Sequence, residues 1–325
     1  MKRPIIIDCD PGHDDAMAIL WALSFEELEV KAITTVTGNT SIDKVTNNAI
    51  KVLTKAGRTD IPVAQGLSEP LVRNLLEGNF GTNVHGESGM DGPQLPESSF
   101  EKSKLNAYEM MVDILETADE KVTIVGIGPL SNIAVLLKLR PDLKEKIECI
   151  SIMGGGTIGN WTPAAEYNIY ADAEAAYVVF HSGVPIIMSG LDVTQKAYIT
   201  REENETLREQ GDEISVFVAE LIDYFAKYHY EVEKLKGCTL HDPTAIAALV
   251  HPEWFKGIQC NVDIEIDGGL TKGMTVVDQK NYLENVLHCN SFKNTYFIYD
   301  LDREKYIQCF VNSFVKLNIQ KERVL

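Results

Sequence analysis

From Ile5 to Ser189, short β-branched runs alternate with helical stretches, and that rhythm leaves few folds open to the chain. Ile5–Ile7 reads as a buried strand, Asp14–Leu23 as a helix, Val30–Thr37 as a strand and Ile42–Lys55 as an amphipathic helix. A short strand at Ile61–Ala64 follows, then a helix at Ala107–Thr117, a strand at Val122–Ile127 and a helix at Asn132–Leu139. Ile147–Met153 and Pro185–Ser189 read as strands around a helix at Ala173–His181. Strands alternating with helices of this length are βαβ units, which require a mainly parallel sheet with right-handed crossovers. Uninterrupted apolar strands fit a sheet covered on both faces. The expected fold is therefore α/β: an open, mainly parallel central sheet with helices on both faces.

Two stretches break the rhythm. Residues 66–105 form a long polar connection, and a connection of that length in a compact unit is commonly functional. Residues 201–236 look helical and charged and lead to His241-Asp242-Pro243. The last third has strand-like pieces near 259–266, 273–278 and 294–299, then a helix from about 302. With no internal repeat or linker, the simplest organisation is one domain over 1–325, decorated by loop 66–105 and segment 201–240.

The first strand runs into Asp8-Cys9-Asp10-Pro11-Gly12-His13-Asp14-Asp15. Pro11-Gly12 makes a turn, so Asp14 and Asp15 open a helix beside Asp10. A carboxylate at a helix N-terminus gains roughly 0.3–1 kcal/mol from the macrodipole, which accounts for Asp14 or Asp15 singly. It does not account for the whole set, because like charges this close repel. A bound cation resolves the conflict, and hard carboxylate oxygens suit Mg²⁺ or Ca²⁺ rather than zinc. An EF-hand is excluded, since the twelfth position from Asp8 is Ile19 where a glutamate is required. A phosphatase of the haloacid dehalogenase type also places Asp-x-Asp after its first strand. Its motif normally continues Gly-Thr or a similar pair, and Pro-Gly-His-Asp-Asp does not fit.

Acids exceed bases by 48 to 30, for a net charge of −18. Such a surface repels phosphates, so no nucleic-acid or anionic-membrane partner is expected. The six cysteines have no CxxC spacing and are expected to be reduced thiols. No signal peptide precedes Ile5, and no apolar stretch approaches the about 20 residues that span a bilayer, so the expected location is cytoplasmic.

At this point the chain resembles the inosine–uridine-type, calcium-dependent nucleoside hydrolases. The resemblance is carried by DCDPGHDD (8–15), TTVTGN (34–39), VHGESGMDGP (84–93), VGIGPLSNIA (125–134), IMGGG (152–156), GNWTPAAEYNIYADAEAA (159–176) and HDPTAIAAL (241–249), in matching order and spacing. It implies hydrolysis of the N-glycosidic bond of ribonucleosides to base and ribose, with one Ca²⁺ per subunit. By similarity, Asp10, Asp15 and Asp242 supply carboxylate ligands and Ile127 a main-chain carbonyl. Asp14, Asn39, Asn160, Glu166 and Asn168, with Met153 beside them, match the set that binds sugar hydroxyls. His85 and His241 match the two histidines near the leaving base. The family also implies a homodimer or homotetramer. A non-catalytic Ca²⁺-dependent nucleoside-binding protein remains the alternative of a different class.

The residues make chemical sense by themselves. Asp10, Asn39, Ile127 and Met153 fall at the carboxyl ends of predicted strands, where open α/β sheets bind ligands. Cleaving an N-riboside needs an activated water, a stabilised cationic sugar and help for the departing base. Asp10 is the expected general base and His241 the expected acid, with His85 on the base side. The alternation Glu166-x-Asn168 places both side chains on one side of an extended segment. Gly154-Gly155-Gly156 reads as a tight turn needing positive φ rather than a phosphate loop, and Asp172 as a helix N-cap. Asp8 is expected to support Asp10, and His13 to be structural. The tyrosine-bearing helix near 222–236 should reach over the base, where His229 and Glu233 match no family pattern. The VHGESGMDG block looks most like broad-specificity members, which points to uridine, cytidine and inosine.

Overall fold

The computed structural model describes residues 2–75, 80–289 and 292–324. Residues 76–79 of the expected 66–105 connection, and the ends of the expected 1–325 domain, lie outside the described residues. In chain order, β1 (Arg3–Cys9) is followed by α1 (His13–Ser24), β2 (Leu28–Thr35), α2 (Ile42–Ala56) and β3 (Val63–Gln65). The long connection holds α3 (Phe80–His85) and ends at α4 (Ala107–Thr117). Next come β4 (Val122–Gly126), α5 (Ser131–Leu139), β5 (Ile147–Met153), α6 (Tyr167–Ala171), α7 (Ala173–Phe180) and β6 (Ile186–Ser189). Then α8 (Leu191–Thr194), β7 (Tyr198–Ile199), α9 (Arg201–Glu209), α10 (Glu213–Glu231), β8 (Cys238–Thr239) and α11 (Pro243–Val250) lead to β9 (Phe255–Cys260). The chain closes with β10 (Val262–Ile264), β11 (Thr275–Val277), α12 (Tyr282–Asn285), β12 (Thr295–Leu301) and α13 (Arg303–Val324).

Eight strands form the central sheet in the order β3-β2-β1-β4-β5-β6-β12-β9. Every pairing in it is parallel except that of β9 with β12. Strand β1 shows why both faces are covered. Ile5, Ile7 and Cys9 pack with α1, α10, α11 and α13 on one side, and Ile6 packs with α4, α5 and α7 on the other. A strand apolar at every position can be stable only in such a sandwich, because a water-facing side would expose alternate residues. The expected open, mainly parallel sheet with helices on both faces is what the structure has. No described helix is long and apolar enough to cross a membrane.

Two boundaries differ from expectation in an instructive way. The 259–266 stretch is not one strand. It breaks at Asn261, where β9 leaves the central sheet and β10 pairs antiparallel with β11. Asn294 makes the break affordable in hydrogen bonds: its Oδ1 accepts from Val262 N–H at 3.0 Å and its Nδ2 donates to Val262 O at 2.9 Å. The 201–236 stretch is two helices rather than one. Gly211, at φ 74°, turns the chain between α9 and α10, and Asp212 caps the second helix by accepting from Ile214 and Ser215 N–H.

The topology switches direction at β1: β2 lies on one side of it and β4 on the other. That leaves a crevice beyond the carboxyl ends of β1, β2, β4 and β5. The residues that follow those strands are Asp10, the Val36–Asn39 loop, Ile127 and the Gly154–Gly156 turn.

Candidate active site

The floor of the crevice is acidic because α1 begins so soon after β1. Asp15, in the first turn of α1, reaches back: its Oδ2 accepts from Gly12 N–H at 2.9 Å and its Oδ1 from Asp10 N–H at 3.1 Å. Asp10 lies under the β2 loop, with Oδ2 accepting from Asn39 N–H at 2.7 Å. Asn39 Nδ2 donates to Asp10 O at 3.1 Å and to Asp15 Oδ2 at 3.3 Å, locking the two acids together. Asp242, at the start of α11, arrives from the far end of the chain. Ligand atoms of Asp14, Asp15 and Asp242 come within 4.8 Å of one another, all buried.

Burial sets the electrostatics. It pushes Asp10, Asp14 and Asp242 well above the usual carboxylate range, reinforced by their mutual repulsion, and Asp15 up to about 6. Asp10 Oδ1 is buried with no hydrogen-bond partner. An unpaired anionic oxygen in that setting costs several kcal/mol unless a cation or proton meets it. The donors are all hard oxygens, which suits Ca²⁺ or Mg²⁺. Asp8 lies behind Asp10. Its Oδ1 accepts from Thr34 Oγ1 at 2.6 Å and Asn132 Nδ2 at 2.8 Å, and burial still holds it up at about 7.

Two glycines give Asp10 its room. A Cβ at Gly128 would stand 2.5 Å from Asp10 Oδ1, and one at Gly38 would overlap Asp10 Oδ2. Gly38→Ala is therefore expected to displace the carboxylate, lowering turnover at least about tenfold and destabilising the fold by about 1–3 kcal/mol through overpacking. Steady-state kinetics and thermal melting check this together; an unchanged kcat would show that the carboxylate position is not critical.

The side wall comes from the loop after β5. Gly155 and Gly156, at φ 71° and 145°, make the expected tight turn. The expectation of an extended Glu166-x-Asn168 segment is wrong. Glu166 is the N-cap of α6, and Asn168 is inside that helix. Glu166 binds the free N–H groups of the helix start: Oε1 accepts from Asn168 N at 2.9 Å, and Oε2 from Ile169 N at 3.1 Å and Gly155 N at 2.8 Å. A capping carboxylate stabilises a helix more than the strand that alternation suggests. Asn168 Nδ2 donates to Ile127 O and Met153 O, each at 3.2 Å, which brings the ends of β4 and β5 together. Asn160 Oδ1 accepts from Tyr167 N–H at 3.0 Å, and Tyr167 Oη donates to Gly38 O at 2.7 Å. Asp172 caps α7 as expected, accepting from Ala175 N–H at 3.0 Å.

Histidines and aromatic rings make the far wall. His241 Nδ1 is 2.9 Å from Thr194 Oγ1. Its ring stands 5.8 Å from that of His229, which packs edge-on against Phe225 at 4.5 Å. His85 stacks on Phe225 at 5.2 Å and on His13 at 5.2 Å. His13 is fully buried between His85 and Tyr224, with Nε2 at 2.8 Å from Asp91 O. Burial draws His13 and His229 down to about 4, His241 to about 3, and His85 well below the usual value. These four rings are therefore neutral near pH 7.

These walls enclose a cavity of about 60 Å³. Asp14, Asn39, His85, Ile127, Met153, Asn160, Glu166, Asn168, His241 and Asp242 line it. Asp10 and Asp15 do not line it, being tied to Asn39 and Gly12. The long connection contributes Val84 and His85, and α10 contributes Phe225, Tyr228 and His229, with Glu233 just past its end. Sequence reasoning did not single out Tyr167, Thr194, Val84 or Phe225. Tyr167 stands between two chosen residues and was legible in principle; Thr194 carries no local signal.

Comparison with known proteins agrees with this geometry. The model of the family described as inosine-uridine preferring nucleoside hydrolase matches residues 5–308. A pyrimidine-specific ribonucleoside hydrolase RihA from Photobacterium profundum is 48% identical over 309 residues, covering 94% of this chain and 97% of the relative. A protein of the same description from Escherichia coli is 48% identical over 310 residues, covering 94% and 96%. Among solved structures, a purine-preferring ribonucleoside hydrolase from Gardnerella vaginalis superposes with a TM-score of 0.89 at 30% identity, covering 97% of this chain and 99% of that one.

Proposed function

This chain belongs to the inosine-uridine preferring nucleoside hydrolase family and is a ribonucleoside hydrolase, and from that premise we propose that it cleaves pyrimidine ribonucleosides with a Ca²⁺-assisted, Asp10-activated water. The observation that carries the reading is the orphaned Asp10 Oδ1, buried among three further carboxylates beneath a cavity lined by sugar-binding and imidazole groups. The carboxylates of Asp10, Asp15 and Asp242 with the Ile127 carbonyl would hold the ion. When bound, Ca²⁺ supplies a positive site for water and ribose hydroxyls without itself carrying a proton.

The chain's own groups do the rest. Asp10 accepts the proton of the attacking water, which Ca²⁺ acidifies too little to ionise alone. Asp14, Asn39, Asn160, Glu166 and Asn168 bind the sugar hydroxyls, with Met153 packed beside them. As the water oxygen bonds to the anomeric carbon, the C–N bond breaks and its electrons leave with the base. His241 assists the departing base: with Thr194 O–H donating to Nδ1, the neutral ring holds its hydrogen on Nε2 and can donate it as a hydrogen bond to the leaving nitrogen, whose negative charge it stabilises until solvent protonates the base. His85 stands on the same wall, beyond Phe225 and His229, and is the second histidine on the base side.

Substrate class rests on the RihA relatives, whose printed description is pyrimidine-specific. This narrows the sequence expectation of uridine, cytidine and inosine. For a phosphatase mechanism with Asp8 or Asp10 as nucleophile, Asp8 is disfavoured because its Oδ1 is engaged by Thr34 and Asn132; with Asp10 as nucleophile the reaction would release phosphate and no free base. The test is a ribonucleoside panel analysed by chromatography for free base and ribose, with and without chelator. Uracil and cytosine should be released at least about tenfold faster than hypoxanthine. Faster release of hypoxanthine would overturn the pyrimidine reading, and binding without release of any base would overturn catalysis. The family's homodimer or homotetramer is carried as a proposal too; a monomer by light scattering would count against it.

A further inference from the structure

We propose that Glu233 and His229 form a pair of hydrogen-bond acceptors for the exocyclic amino group of cytosine, so that the enzyme favours cytidine over uridine. The inference rests on the pyrimidine reading above and deepens it.

Glu233 is the underused carboxylate of the cavity. Glu166 accepts three backbone N–H bonds, whereas among the described residues no donor lies within hydrogen-bond distance of the Glu233 carboxylate. His229 Nε2 lies 3.7 Å from its Oε2, too far for a hydrogen bond. Burial alone raises the carboxyl, with no bond to offset it. A half-buried acceptor in a ligand cavity with no protein donor calls for a donor from the ligand.

The backbone is bent to present it. Beyond α10, Leu235 N–H donates to His229 O at 2.9 Å, which folds the chain back on the helix end. Lys234 takes up the turn at φ 57°, a left-handed conformation that a side chain disfavours. Glu233 lies at that turn, beside His229 one helical turn earlier.

His229 is an acceptor toward the same point. Its Nδ1 lies 3.2 Å from Phe225 O, and a carbonyl can only accept, so Nδ1 carries the hydrogen. The ring is fully buried and neutral, which leaves the lone pair on Nε2, facing Glu233. The pair is also in the right place along the substrate. His241 adjoins the Asp242 end of the cavity, His229 follows it at 5.8 Å, and Glu233 comes next, at the partly exposed rim. The far edge of a base whose ribose sits on the carboxylates reaches that rim. Cytosine presents there an amino group with two hydrogens, one for each acceptor. Uracil presents a carbonyl oxygen, which meets two lone pairs.

The test is kcat/KM for cytidine and uridine in the wild type, Glu233→Gln and Glu233→Leu. Wild type should favour cytidine by about tenfold or more. Glutamine keeps the shape and offers an N–H suited to a carbonyl; leucine removes the acceptor. The cytidine-to-uridine ratio should fall at least about tenfold in each. A purely structural role for Glu233 would move both substrates together and leave the ratio alone. A wild type that prefers uridine, or ratios within about twofold of wild type in both folded variants, overturns the proposal. A wild type that cleaves neither pyrimidine overturns the substrate reading on which it rests.

Discussion

Asp10→Asn is expected to lower kcat by about 10³-fold while leaving the binding of a ribose analogue within about tenfold of wild type, measured at saturating Ca²⁺. The reason lies in the two oxygens of Asp10, which have different surroundings. Oδ2 is held by Asn39 N–H at 2.7 Å and Oδ1 has no partner. An asparagine keeps the first bond by turning its oxygen to Asn39, which places its NH₂ where Oδ1 was. That group cannot accept a proton from water. It also turns hydrogens toward the cation, so saturating ion is part of the measurement. The proposed sugar-binding groups stand on other elements, and Asn39 keeps its bonds to the retained oxygen and to the main chain at position 10, so the loss should fall on kcat rather than KM. Turnover near that of the wild type would remove Asp10 as the base.

Ca²⁺ should bind about 100-fold more tightly at pH 7.5 than at pH 5.5, with protons released into the buffer. Without the ion, Asp15 is raised from its ordinary 3.8 to about 6, and Asp10, Asp14 and Asp242 are raised further. A carboxyl raised by folding contributes stability that is complete below the unfolded value and is lost as pH rises through the folded one. The metal-free site therefore becomes more costly above about pH 6, and the ion relieves that cost by displacing the protons. Each proton displaced is worth about tenfold in affinity per pH unit. His13, His85, His229 and His241 have lowered values and act in the opposite sense. With His13 and His229 at about 4 and His241 at about 3, these rings are already neutral between pH 5.5 and 7.5 and have few protons to release there. Titration calorimetry in two buffers of unlike ionisation enthalpy counts the protons; an affinity flat across this range would show that the cluster is not where the ion sits.

The parts of the molecule that a sequence reader can see are those governed by local pattern. β1, β4 and β5 are continuous apolar runs because both sides of each strand are covered, and the loops beyond them hold Asp10, Ile127 and the glycine turn. Asp172 announces its cap by preceding a run of helix formers. What stayed hidden depends on contacts between distant segments. Glu166 and Asn168 looked extended because alternation was weighed without the capping role of the glutamate. Thr194 orients His241 from a four-residue helix that no periodicity marks. His229 was visible as a histidine on a helix, and its partner Glu233 faces it by i,i+4 spacing, although Glu233 lies just past the end of that helix.

Asp242 completes a cluster with Asp14 and Asp15, beside Asp10, and these other members all lie near the start of the chain. During synthesis, Asp10, Asp14 and Asp15 emerge first and must wait for most of the sheet before their counterpart appears. At about 5–20 residues per second the wait is tens of seconds. A partial chain thus carries mutually repelling acids with nothing to close them, and closing so long a loop is among the last contacts to become favourable. Capture of the proposed ion would therefore be an event of the finished polypeptide: it could seal the fold, but it could not guide the early stages by which the fold is reached.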